Sequence, residues 1–191
     1  CTGVDDQIII NQALNYAEGG KAVLLEGTYN LTAPLLPPNN TEVEIVGKLL
    51  VSDSVEDIIV QDAVIGQNYV VVSDGSKFKV GDYVAFYDDN SEVQRGGTGQ
   101  TRRHSNAGYI TSVNGNTLSL DGNLIYAMTV TANPKIGTML SAILIENKEN
   151  IYVHGAGTID GRKASQFDCD PVSMLLGGED IRVGCCISVK Y

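Results

Sequence analysis

The sequence predicts an all-β protein: a solenoid of stacked short-strand coils, with an α-helix over one end and a small antiparallel β module inserted in the middle. Three observations carry this expectation. Glycine is abundant, at 21 of 191 residues, among many valines, isoleucines and leucines, a mixture that suits short strands and tight turns. Strand-like runs stopped by Gly or Asn recur at both ends of the chain. Between them the texture changes to tyrosine-rich, hairpin-like segments.

The elements follow in order. Asp5-Asp6 precede Ile9, Ile10, Ala13, Leu14 and Ala17, a helical spacing, and Asp is a favoured N-cap, so residues 6–18 are predicted as one amphipathic helix. Gly19-Gly20 stops it, because glycine takes the left-handed C′ conformation at little cost. Lys21 to Leu25 and Glu26 to Leu31 read as two strands around a Gly corner, and Val43 to Gly47 with Lys48 to Val51 repeat the pattern. Pro34, Pro37, Pro38 and Asn39-Asn40 mark the loop between them, and Ile58-Ile59-Val60 is a further strand. Residues 1–65 are therefore assigned to the capping helix and first coils.

Residues 66–137 are assigned to the antiparallel insert. Tyr69 to Val72 is a strand, and Phe78 to Tyr87 alternates in and out with a turn at Gly81-Asp82. Tyr109 to Val113 and Thr117 to Leu120 flank Asn114-Gly115, a strong hairpin signal. Residues 88–107 are polar, glycine-rich and without apolar period, which predicts a long surface loop. The first texture returns over 138–191, in Ser141 to Ile145, Asn150 to Gly155, Gly157 to Gly161, Val172 to Leu176, Ile181 to Val183 and Ile187 to Val189. A single coil cannot bury its inner face, so such segments must stack on neighbours.

Bulk properties exclude several functions. The formal net charge is −10, and the only basic cluster is Arg102-Arg103-His104, so a nucleic-acid partner is not expected. No run approaches the roughly 20 apolar residues a membrane-spanning helix needs. The chain opens at Cys1 without a signal peptide or Met, which suggests a processed or trimmed product. Of the four cysteines, Cys169, Cys185 and Cys186 fall near the C-terminus, with no Cys-x-x-Cys. A disulfide from Cys169 to Cys185 or Cys186 would contribute about 3 kcal/mol in the chain-entropy model, and buried free thiols are the equal alternative. Asn30 and Asn39 head two glycosylation sequons, Asn30-Leu31-Thr32 and Asn39-Asn40-Thr41.

Three stretches resemble the pectate-lyase-like superfamily of right-handed parallel β-helices. Thr2-Gly3-Val4-Asp5-Asp6 through Glu26-Gly27-Thr28-Tyr29-Asn30-Leu31 is similar to its opening, where a short helix covers the solenoid end and a Gly-Thr-Tyr corner follows the first strand. Ile151 to Gly161 is similar to the Gly-x-Gly-Thr-Ile-Asp-Gly stretch of polygalacturonase-type glycoside hydrolases. Pro171 to Leu176 with Ile181-Arg182-Val183 looks like the next coil. The resemblance implies the N-terminal part of a right-handed parallel β-helix, an extracellular, secreted or cell- or virion-surface location, and polysaccharide as partner. It does not fix chemistry, because hydrolases, lyases, phage tailspikes and adhesive surface proteins share these motifs. The family's Asn-Thr-Asp, Asp-Asp, Gly-His-Gly and Arg-Ile-Lys catalytic stretches are absent, which places the reaction centre of an enzyme beyond this chain. The alternative is a non-catalytic structural, adhesin or tailspike-type subunit. No element after residue 176 covers the C-terminal end, so further coils or self-association are expected there.

Candidate sites are few. Arg102-Arg103-His104 is the first choice for substrate binding, since arginine pairs well with carboxylates such as those of uronic acids, although a solvated loop is the simpler account. Asp160, Asp168 and Asp170 flank a corner and are weak acid candidates; glycosidases need two carboxylates about 5 to 9.5 Å apart, one with a raised pKa. Asp at a Gly corner is more often a turn former. No cofactor is expected. Asp88-Asp89-Asn90-Ser91-Glu92 has oxygen ligands suited to calcium but not the EF-hand spacing. Tyr69, Tyr83, Tyr87, Tyr109 and Tyr126 either stack on sugars or pair across strands.

Overall fold

A computed structural model describes residues 3–24, 26–93, 101–162 and 187–190; for 91–93, 101–103 and 187–190 it describes the backbone course alone. The fold is mostly β, with one short N-terminal helix, small parallel sheets and one curled antiparallel sheet. The described residues divide into two compact units, Ser54–Met139 and the chain on either side of it.

In the first unit α1 (Gln7–Tyr16) is followed by β1 (Lys21–Leu24), β2 (Thr28–Leu31), β3 (Glu42–Ile45) and β4 (Lys48–Val51). After the second unit come β11 (Ile143–Glu146), β12 (Tyr152–His154), β13 (Thr158–Asp160) and β14 (Ile187–Lys190). All their pairings are parallel. β1, β3 and β12 form one stack, and β2, β4 and β13 a second. β11 pairs with β14 in a third, extended by a bridge from Leu35 to Ile143. Successive passes of the chain therefore lay strands on the same stacks. Inward residues meet in register: Leu24 on Ile45, Leu31 on Val51, and Val43 beneath Val153. They join Ile10 and Leu14 of α1 in one hydrophobic core.

The corners explain the glycines. Gly157 N–H donates to Ile45 O at 2.8 Å and Thr158 N–H to Gly47 O at 3.0 Å, so the third corner rests directly on the second. A Cβ at Gly157 would lie 2.3 Å from Gly47 O, and one at Gly155 only 2.1 Å from Ile45 O. Gly155 also sits at φ +125°, which L side chains rarely adopt. The turns before β3 and β12 are matched too. Asn150 Nδ2 donates to Asn40 Oδ1 at 2.8 Å, Glu149 N–H to Asn39 Oδ1 at 3.0 Å, and Asn40 N–H to Glu149 O at 3.0 Å. Both Asn40 and Asn150 are left-handed (φ 57° and 55°), a conformation asparagine tolerates.

The helix start differs from expectation. Asp6 makes no capping hydrogen bond into α1. Its carboxylate accepts Gly3 N–H at 3.1 Å and Asn30 N–H at 2.9 Å, and its own N–H donates to Asn30 O at 3.0 Å. The residue ties the helix entry to β2, a long-range role that outweighs local capping.

The second unit holds β5 (Glu56–Ile58), β6 (Tyr69–Val71), β7 (Tyr83–Val93), β8 (Thr101–Asn114), β9 (Thr117–Leu120) and β10 (Lys135–Thr138). They form a six-stranded antiparallel sheet in the order β5-β10-β7-β8-β9-β6. The sheet curls until its edges meet, through Val60 N–H to Val71 O at 2.8 Å and Ser73 N–H to Ile58 O at 3.1 Å. Phe78, Phe86, Ile110, Leu118, Met128 and Ile136 are among its core residues. The predicted Asn114-Gly115 hairpin is the β8–β9 connection, with Gly115 at φ 56°.

The surface loop expected over 88–107 is corrected: β7 and β8 pair as a long ribbon from Tyr83↔Tyr109 to Val93↔Thr101, with a register shift between Tyr87 and Ser91. The missing apolar period has a physical cause. Asp88, Ser105 and Asn106 are buried polar residues. Asn106 Oδ1 accepts the N–H groups of Ile125 (2.7 Å) and Tyr126 (3.1 Å), and its Nδ2 donates to Tyr126 O (3.0 Å). Hydrogen-bonded polar groups can occupy a sheet interior and leave no hydrophobic signature.

Candidate functional site

Along each strand of the first stack, alternate residues point outward, and the parallel register places these side by side. One row is Lys21, Glu42 and Tyr152; the next is Val23, Glu44 and His154. Diagonal contacts link the rows. Lys21 Nζ reaches Glu44 Oε2 at 2.6 Å and Glu42 Oε1 at 3.2 Å, and His154 Nε2 lies 2.7 Å from the same Glu42 oxygen. The Tyr152 ring stacks on His154, with centroids 4.7 Å apart and planes 24° apart. Tyr152 is 64% exposed and Val23 43% exposed, so apolar surface flanks the charged strip.

The electrostatics follow from these contacts. The His154 hydrogen bond, then that of Lys21, holds the Glu42 carboxyl below the usual glutamate range. The hydrogen bonds to Glu44 and Glu42 raise the Lys21 ammonium above an ordinary lysine. Glu42 is therefore a stable carboxylate, suited to accepting hydrogen bonds rather than to giving up a proton as a general acid. Glu42 Oε2 and Glu44 Oε1 have no hydrogen-bond partner among the described residues.

The outward residues of the second stack are Thr28, Lys48 and Thr158, then Asn30, Leu50 and Asp160. Asp160 pairs with Lys48 Nζ at 2.7 Å and accepts Arg162 N–H at 3.0 Å. Lys48 first, then that backbone N–H, lowers its carboxyl below the usual range. Arg162 also pairs with Asp53 at 3.0 Å.

The other sequence candidates are dispersed. Arg102 and Arg103 lie on β8, in register with Glu92 and Ser91, and their side chains fall outside the described residues. His104 is half-buried and stacks on Tyr126, at 4.9 Å and 14°. Asp168, Asp170, Cys169, Cys185, Cys186 and the third resembling stretch also lie outside the described residues. Asn30 Nδ2 donates to Gly3 O at 2.9 Å, and Asn39 serves the turn above. Asp88 accepts Asn90 N–H and Nδ2, both at 3.0 Å, and Asp89 accepts Asn133 Nδ2 at 3.1 Å. Tyr83 and Tyr109 pair across β7 and β8, with centroids 4.8 Å apart, while Tyr87 is largely buried.

The face built by Lys21, Glu42, Glu44, Tyr152 and His154 was not singled out from sequence. Its members lie on three separate strands, and only alignment of the strand–Gly–strand segments could have brought them together.

No protein-family model and no curated protein matches the chain. Among solved structures, the chain is similar to three phage tailspikes. The Gp54 tailspike of Acinetobacter baumannii bacteriophage AP22, solved in complex with A. baumannii capsular saccharide, is 15% identical, with TM-score 0.43 over 81% of this chain and 31% of that one. The tailspike protein gp49 from Pseudomonas phage LKA1 is 14% identical, with TM-score 0.42 over 76% of this chain and 26% of that one. The Pseudomonas phage phi297 tailspike gp61 is 12% identical, with TM-score 0.44 over 84% of this chain and 31% of that one. The chain thus spans less than a third of each tailspike.

Proposed function

We propose that this chain is the N-terminal part of a right-handed parallel β-helix at a cell or virion surface, and that it binds polysaccharide without cleaving it. The β-helix reading is supported by the parallel stacks, the glycine corners seated on one another, and the Asn40–Asn150 pair. The binding reading is carried by one observation: an exposed tyrosine ring stacked on the half-buried His154, beside two half-exposed carboxylates on the outward face. Aromatic faces pack against the C–H faces of sugars, and ionised carboxylates make strong hydrogen bonds to hydroxyls. A hydrolytic role for this face is disfavoured. Glycosidases keep one carboxyl protonated by raising its pKa, whereas on this face that of Glu42 is lowered. A hydrolase or lyase whose reaction centre lies outside this chain is the alternative.

Affinity electrophoresis of the whole chain through gels cast with capsular, neutral and uronate-containing polysaccharides tests this. Retardation by at least one polysaccharide is expected, with no new reducing ends, and Tyr152→Ala should weaken it. No retardation across the panel would overturn the binding reading. Depolymerisation by the chain itself would overturn the non-cleaving reading and place a reaction centre within it.

A further inference from the structure

We infer that the outward face of β1, β3 and β12 takes an uncharged pyranose and discriminates against uronic acids; the inference rests on the saccharide-binding reading above. The face is small. Parallel strands lie about 4.8 Å apart and alternate residues about 6.6 Å apart, so three strands and two rows cover roughly 10 by 7 Å, the footprint of one sugar ring.

Its charges are unequal. One lysine stands against two carboxylates, Glu42 and Glu44, and His154, 2.7 Å from Glu42, adds a positive charge only when protonated. The Lys21 ammonium already directs two of its three N–H donors at these carboxylates, so at most one is left for a sugar carboxylate, which would also meet the charge of both glutamates. The groups left over are acceptors: Glu42 Oε2 and Glu44 Oε1 have no partner among the described residues. Acceptors recruit hydroxyl donors and repel a second carboxylate. Val23 and the Tyr152 ring flank these acceptors with apolar surface suited to the C–H face of a sugar. The substrate class suggested by Arg102-Arg103 alone, an acidic sugar, is therefore the wrong one for this face.

The test is a titration of the whole chain, followed by the Tyr152 ring and His154 resonances. The probes are neutral tetrasaccharides of glucose, galactose, mannose and N-acetylglucosamine, with tetramers of galacturonate and glucuronate alongside. At least one neutral tetramer should shift both residues, with affinity at least about tenfold above either uronate at low salt. Glu44→Gln, checked for an unchanged amide spectrum elsewhere, should narrow that ratio. Tyr152→Ala should weaken the response that remains readable at His154. A uronate that shifts these residues with equal or greater affinity would overturn the inference while leaving saccharide binding intact. No shift with any probe would overturn both.

Discussion

The glycine corners offer the sharpest quantitative test of how the coils hold together. Gly157→Ala places a Cβ 2.3 Å from Gly47 O and 2.7 Å from Ile45 O, both backbone atoms that cannot rotate away. Restoring ordinary contact requires the third corner to retreat by about 1 Å. That displacement takes the 2.8 Å Gly157–Ile45 and 3.0 Å Thr158–Gly47 hydrogen bonds beyond useful length. Two lost bonds cost about 2 kcal/mol, and loosening Val153 and Ile159 from the core adds about 1 to 2 kcal/mol. The expected loss is therefore about 3 to 4 kcal/mol, a large share of typical domain stability.

Two companion variants separate the causes. Gly27→Ala meets no atom within 4 Å but sits at φ +134°, so it reports backbone strain alone, about 1 to 3 kcal/mol. Gly155→Ala combines both effects and should be the most damaging of the three. A urea series followed by the amide resonances of Val43 and Leu49 reads this unit specifically. A Gly157→Ala protein within about 0.5 kcal/mol of the parent would refute direct backbone seating of one coil on the next.

Three further predictions follow from side-chain contacts. Asn150→Ala removes the 2.8 Å bond to Asn40 and forces alanine into a left-handed position, at an expected cost of about 2 to 3 kcal/mol; Asn150→Gly, which relieves the backbone, should cost less by chemical denaturation. The Glu42 carboxyl carbon should titrate below an ordinary glutamate, and His154→Ala should move its midpoint upward. The contact's contribution is thus present above the unfolded glutamate pKa and is lost as pH falls through the lowered one. Burial raises the Asp82 carboxyl despite the hydrogen bond from Lys79 N–H at 2.9 Å. Its favourable contribution is present below the ordinary aspartate pKa and declines as pH rises through the raised value, so Asp82→Asn should flatten that decline in denaturation measured from pH 3 to 7.

The parallel strand–corner–strand segments are legible in the sequence where backbone geometry demands a residue type. Gly27 and Gly157 mark corners, and Asn40 and Asn150 mark turns, because few other residues accept those conformations or approaches. The ribbon of β7 and β8 was not legible, since Asp88 and Asn106 satisfy their polarity inside the fold and erase the alternation on which strand reading depends. The outward face was hidden for a different reason. Aligning β4 with β13 at their corners places Glu42 beside Tyr152 and Glu44 beside His154 correctly. The first coil carries one residue more between its paired strands, since Val23 pairs with Glu44 while Thr28 pairs with Lys48. Corner alignment therefore slips β1 by one and turns Lys21 to the wrong side.

Inter-strand nuclear Overhauser contacts on the whole labelled chain test the stacked-coil account most directly. Parallel stacking requires backbone contacts linking Ala22 to Val43 to Val153, and Tyr29 to Leu49 to Ile159, with strands about 4.8 Å apart. An antiparallel pattern, or no contact between Val43 and Val153, would contradict it.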